Sequence, residues 1–185
     1  MNTNPEPLPK SANAFVKLLK CAGISLPELE PSDLKVPRTA RGYQITDTIL
    51  VSHWIPAFNP EFISRFGIKS ILCLDGKLRS SFASALGVEK IISFNMPDGK
   101  GTTPNMIHHL VDTLKELVDH HPSVLVQCNA GQSRSPSIVA AYLTKYKSYS
   151  LKDALQLVTQ ARSPEREVKM WKETRSAIER ALGDL

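Results

Sequence analysis

Residues 123–143 constrain this chain more than any other stretch: a β-branched run, SVLVQ, a polar turn, CNAGQSRS, and an apolar segment opened by Pro136. A short apolar run bounded by polar residues reads as a strand buried on both faces, the habit of parallel sheets. After the turn, Ile138, Val139, Tyr142 and Leu143 recur at helical spacing behind a proline suited to the first helical turn. A strand passing directly into a helix is half of a βαβ unit, and the rest of the chain repeats the alternation. ILVSHWI reads as a strand before a helix opened by Asn59-Pro60, and IKSILCL precedes a helical LRSSFASAL that stops at Gly87. EKIISFN leads through the loop MPDGKGTT to a helix opened by Pro104, with Met106, Ile107, Leu110, Val111, Leu114, Leu117 and Val118 on one side. Two further helices are predicted. One starts at Ser150 with Asp153 three positions on, and one at Ser163-Pro164 with Val168, Trp171, Ile178 and Leu182 as a core-facing stripe. The expected fold is α/β, a central mostly parallel mixed sheet of four to five strands flanked by helices. Residues 1–40 read as a Pro-rich extension with a short helix between Ser11 and Gly23, and residues 41–185 as a single domain.

Composition narrows the classes of function. Lys and Arg number 23 against 18 Asp and Glu, a net charge of +5, which favours anionic partners. The basic residues form no block and no aromatic-interleaved run, so nucleic acid is not an expected partner. No apolar run is long enough to cross a bilayer, and the opening MNTNPEPLPK lacks the apolar core of a secretory leader, so no membrane association is expected. The three cysteines, Cys21, Cys73 and Cys128, make an odd set, which suggests free thiols in a reducing compartment. A monomeric cytoplasmic protein is the expectation. The pairs His108-His109 and His120-His121 invite a metal reading. Adjacent residues point to different helix faces, however, and no Cys or acid stands at ligand spacing, so no metal is expected.

The turn between strand and helix holds the chemistry. Its backbone N–H groups, joined by the leading N–H groups of the helix, can converge on an anion. Asn129, Ala130, Gly131, Gln132 and Ser133 supply those amides, with Gly131 letting the backbone bend and approach a ligand closely. Arg134 adds a planar fork able to hold two phosphate oxygens. Cys128 at the base sits in the same positive potential, which favours its thiolate and makes it a nucleophile aimed at a cradled phosphorus. The plainer alternative makes Cys128 a small buried hydrophobe and Arg134 a surface residue at a helix start.

VLVQCNAGQSRSPSIVAAYL resembles the signature of the protein tyrosine phosphatase superfamily, in its compact dual-specificity branch. Cys128, Gly131, Arg134 and Ser135 match the pattern Cys-x2-Gly-x2-Arg-Ser/Thr, while Gln127 stands where the family has His; the resemblance extends over residues 41–160. It implies that Cys128 is the nucleophile, Arg134 the phosphate clamp and Ser135 the hydroxyl that steadies the departing thiolate. It also implies a general acid on a loop about thirty residues before the Cys, where Asp98 stands in NMPDGKG, with Asp75 as the fallback. Gln127 can donate a hydrogen bond but carries no positive charge, so it supports a thiolate less than His would. The implied activity is phosphomonoester hydrolysis through a cysteinyl-phosphate, on phosphorylated Tyr, Ser or Thr of a protein or on small phosphate esters. No cofactor is called for, since positioning and electrostatics supply most of the rate in phosphoryl transfer. The alternatives are a phosphate-binding pseudophosphatase and a sulfur-transfer protein carrying a persulfide on Cys128. Trp54 and Phe58 read as core before pocket wall, and whether Cys73 pairs with an oxidised Cys128 is left open.

Overall fold

The computed structural model describes residues 42–162 and 168–183. The N-terminal extension with its short helix, and the helix start at Ser163-Pro164, lie outside the described residues. In chain order come strands β1 (Tyr43–Gln44) and β2 (Ile49–Ser52), helices α1 (Trp54–Ala57) and α2 (Pro60–Arg65), and strand β3 (Ser70–Cys73). A 3-10 turn (Ser80–Phe82) runs into α3 (Ala83–Leu86), followed by β4 (Lys90–Ser93), α4 (Pro104–His120) and β5 (Val124–Gln127). Helices α5 (Arg134–Lys147), α6 (Leu151–Arg162) and α7 (Lys172–Gly183) complete it.

The sheet order is β1-β2-β5-β3-β4, with β1 antiparallel to β2 and every other pairing parallel. This is the expected α/β arrangement. The central place of β5 explains why its four residues are all buried. Side chains alternate across it. Val124 and Val126 join Ile49, Val51 and Leu72 against Ile107, Leu114, Ile138 and Tyr142 of α4 and α5. Leu125 joins Leu50, Ile71 and Ile91 against Phe58, Phe62 and Phe82 on the other face. Helices therefore cover both faces. Because β2, β5 and β3 run parallel and end in register at Ser52, Gln127 and Cys73, the turns that follow them gather along one edge. That edge is where ligands meet such sheets.

Local chemistry sets three of the helix starts. The Asn59 side chain accepts from the Glu61 and Phe62 amides at the start of α2, and Thr103 accepts from Met106 ahead of Pro104 in α4. Ser150 accepts from the Asp153 amide as the expected cap, while its hydroxyl donates to the Asp153 carboxylate, a side-chain pair in place of the backbone arm of a capping box. Four details differ from expectation. The strand ILVSHWI stops at Ser52, and residues 54–57 turn into α1, with Pro56 lying within its short first turn. The pair Tyr43–Gln44, too short to carry a periodic signal, is an edge strand. Helix α5 begins two residues before Pro136, because the Ser137 amide already bonds the Ser133 carbonyl at 3.0 Å. The last helix begins at Lys172, and its buried positions are Thr174, Ala177, Ile178 and Ala181. Trp171 precedes it and is 54% exposed, so it is not a core residue. Val168 and Trp171 share the spacing of the helix but precede it, in a segment that bonds Gln132 through Lys169 and Asp98 through Trp171.

Candidate active site

Residues 128–133 form a tight turn between the C-terminal end of β5 and α5. Gly131 makes it possible. Its φ is +64°, and a Cβ there would lie 2.9 Å from the carbonyl carbon of Ser52 and from the amide nitrogen of His53, so the turn presses directly on the exit of β2. The Asn129 carbonyl takes a hydrogen bond from the Trp54 amide at 3.4 Å, fastening the turn to α1. Ser133 stands at the N-cap of α5 yet makes no side-chain capping bond, so its side chain leaves the leading amides of that helix uncovered.

Cys128 is 2% exposed at the base of the turn, with its Sγ 3.2 Å from Ser135 Oγ in the first turn of α5. Arg134 is buried to 9% and spans two loops: Nη1 donates to the Met96 carbonyl at 3.2 Å and lies 3.5 Å from the Leu74 carbonyl. Its Nη2 lies 3.7 Å from Asp98 Oδ2. Asp98 comes from the loop after β4, and its Oδ1 accepts from Trp171 Nε1 at 3.1 Å. The fold thus brings Cys128, Arg134, Ser135 and Asp98 together, from the turn after β5, the first turn of α5 and the loop after β4. Asn129, Ala130, Gly131, Gln132 and Ser133 form the turn around them.

Asp75 has a different employment. Its Oδ1 accepts from Gln127 Nε2 at 3.0 Å, from the Lys77 amide at 3.2 Å and from the Cys73 thiol at 3.2 Å, which ties it into the turn after β3. Gln127 is fully buried, and besides Asp75 its Nε2 reaches the Cys73 sulfur at 2.8 Å. The residue in the family His position thus serves the neighbouring strand and not Cys128. Burial pushes the Cys73 thiol above its ordinary range; bonds from Ser93 and the Leu78 amide pull part of that back, and the Asp75 charge adds to it. Cys73 packs with Phe58 and Leu125 on one face of the sheet, whereas Cys128 packs with Val126 and Ile138 on the other. Both thiols are free in the structure, so the pairing that the sequence leaves open is not formed here.

The structure adds two residues that no motif marks. Lys77 Nζ donates to Asn129 Oδ1 at 2.8 Å and lies 5.3 Å from the Trp54 ring centroid. Trp171 holds Asp98. Phe58 is wholly buried and meets Trp54 edge-on, so Phe58 is core and Trp54 belongs to the rim beside Lys77. His120 bonds the Glu116 carbonyl and His121 faces Glu89. Among the described residues no helix is long and apolar enough to cross a membrane.

Against this geometry, residues 55–178 match the sequence profile "Dual specificity phosphatase, catalytic domain". The chain belongs to that family. It is 31% identical over 106 residues to dual specificity protein phosphatase 5 of Homo sapiens, a match covering 56% of this chain and 26% of that protein. Over 53 residues it is 55% identical to the Rattus norvegicus protein of the same name, covering 29% of this chain and 14% of the relative. The chain therefore spans a minor part of those two relatives. With the putative tyrosine phosphatase 123R of Invertebrate iridescent virus 6 it shares 33% identity over 103 residues, covering 54% of this chain and 67% of the viral one. The fold is also that of Tk-PTP in its active form, with a TM-score of 0.66 at 18% identity over 80% of this chain and 99% of that one. A leucine-rich-repeat and phosphatase-domain protein from Entamoeba histolytica gives 0.64 at 19% identity, covering 80% and 94%.

Proposed function

We propose that this protein hydrolyses phosphomonoesters through a cysteinyl-phosphate intermediate, acting on phosphorylated Tyr, Ser or Thr of proteins and on small aryl phosphates. The observation that carries the reading is the meeting of four groups. The Cys128 sulfur lies beside the Ser135 hydroxyl (3.2 Å) at the base of an amide-lined turn, and the Arg134 guanidinium lies 3.7 Å from the Asp98 carboxylate at its mouth.

Substrate phosphate seats in the turn, its non-bridging oxygens taking hydrogen bonds from the amides of residues 129–134 and from the Arg134 fork. The Cys128 thiolate attacks phosphorus in line; the S–P bond forms as the bond to the leaving oxygen breaks, and protonated Asp98 gives that oxygen its proton. In the second step the Asp98 carboxylate takes a proton from the attacking water. The new P–O bond expels the Cys128 thiolate as the S–P bond breaks, and the Ser135 O–H donates a hydrogen bond to the departing sulfur. Restraint of Arg134 by the Met96 and Leu74 carbonyls fixes the fork before substrate arrives, so little reorganisation is left for the reaction itself.

A second reading has one observation behind it. Gln127 directs its amide to Cys73 and Asp75, leaving Cys128 without the help that family His residues give, as in a module that binds phosphorylated partners and turns over slowly. One experiment separates the two: p-nitrophenyl phosphate is turned over in the presence of a metal chelator, and Cys128→Ser abolishes the reaction. Turnover that survives the substitution overturns the assignment. Tungstate binding without turnover in the unaltered protein selects the second reading.

A further inference from the structure

We infer that Trp171 is a positioning residue for the acid step, one that gives the two oxygens of Asp98 different tasks. The inference rests on the reading of Asp98 as general acid. Trp171 Nε1 donates to Asp98 Oδ1 at 3.1 Å, while Oδ2 faces Arg134 Nη2 at 3.7 Å. An indole N–H only donates, so Oδ1 is an acceptor in both protonation states of the carboxyl. Arg134 Nη2, at 3.7 Å, lies beyond hydrogen-bond distance of Oδ2, so Oδ2 is the oxygen without a bonded donor and the one that takes the transferable proton, turned toward the cradle. Without the indole, the Arg134 guanidinium at 3.7 Å is still opposite the carboxyl, but no bonded donor tells its two oxygens apart.

The post that holds Asp98 is itself rigidly mounted. The Trp171 carbonyl accepts the Arg175 amide at 2.9 Å, making Trp171 the N-terminal anchor of α7, which buries Ala177, Ile178 and Ala181 in the core shared with α4. Two residues earlier, the Lys169 amide bonds the Gln132 carbonyl of the phosphate turn at 3.1 Å. The segment leading into α7 thus laces the turn to the acid loop. The indole also lies flat against Gly99, next to Asp98: a Cβ there would come within 2.9 Å of the ring. Asp98 is on a loop with glycines on its C-terminal side, whereas Trp171 is fixed to a helix, so the indole sets where the carboxyl stands and not the reverse.

The test is a double-substitution cycle on the full chain, with kcat/KM, which stops at formation of the cysteinyl-phosphate, measured on phenyl phosphate, whose leaving group needs the proton, and on p-nitrophenyl phosphate, whose leaving group needs it much less. Trp171→Phe keeps the ring against Gly99 and removes the N–H; at 54% exposed, the position tolerates the change. The expected result is a loss of about tenfold on phenyl phosphate, against a loss of about twofold or less on p-nitrophenyl phosphate. In the Asp98→Asn background the same substitution costs nothing further. An equal loss on both esters, an equal loss in both backgrounds, or no loss at all overturns the role of Trp171. If Asp98→Asn alone keeps the unaltered kcat/KM on phenyl phosphate, Asp98 is not the acid, and the reading beneath the inference falls with it.

Discussion

Replacing Gly131 by alanine tests the phosphate turn without touching any polar group. Two costs add. An L-residue at φ +64° pays roughly 1–2 kcal/mol against its own carbonyl. The new Cβ would also sit 2.9 Å from Ser52 and His53 backbone atoms at the exit of β2. That strand is paired on both sides, with β1 and β5, and cannot yield as a flexible side chain would. Overpacking of this kind costs about 1–3 kcal/mol, so the total is about 2–5 kcal/mol. Gly87 supplies the control, because its φ is +72° and a Cβ there meets nothing within 4 Å. Gly87→Ala therefore isolates the backbone cost, and the difference between the two variants isolates the collision. In urea at 25 °C, with a slope of about 2 kcal/mol per molar, Gly131→Ala unfolds at a midpoint roughly 1 M below Gly87→Ala. Because the turn's amides must shift to admit the methyl group, tungstate inhibition weakens as well, while Gly87→Ala binds tungstate normally. Equal midpoints and unchanged tungstate affinity would refute the claim that β2 braces the turn.

Lys77→Met removes the ammonium 2.8 Å from Asn129 Oδ1 at the edge of the turn; KM for p-nitrophenyl phosphate rises about threefold at unchanged kcat, as steady-state kinetics will report. Asn59→Ala deletes an acceptor used by two leading amides of α2 and lowers stability by about 1 kcal/mol, visible as a lower urea midpoint with an unchanged slope. Burial raises the Cys73 pKa above 9.0, so between the unfolded and folded values the unfolded chain binds fewer protons. Stability is accordingly whole below about pH 9 and declines above it as the unfolded thiol ionises; denaturation at stepped pH in Cys73→Ala, where this part of the slope disappears, is the check. Hydrogen bonds from Lys145 and Tyr146 outweigh burial and hold the Asp112 carboxyl below its usual range, so that group's support is present near neutrality and fades as pH falls through its folded value. In Tyr146→Phe the acid unfolding midpoint moves to higher pH; an unmoved midpoint would show the carboxyl is not held this way.

The sequence alone determined the features that a few neighbouring residues decide among themselves. Strand periods, the proline- and asparagine-marked helix starts, the turn from Cys128 to Ser135 and the candidate acid at Asp98 depend on local conformation and motif spacing, which contiguous residues carry. Only the tertiary structure decided what those groups touch. Trp171 meets Asp98 across a separation of 73 positions, and Lys77 and Gln127 each make their site contacts, to Asn129 and Asp75, across 52. Asp75, a spare acid on paper, is consumed by Gln127, Lys77 and Cys73. Such contacts arise when parallel strands end along one edge and bring distant loops to the same place. A hydrogen bond between loops leaves no periodicity in either of them, so the packed chain is the first level at which it exists.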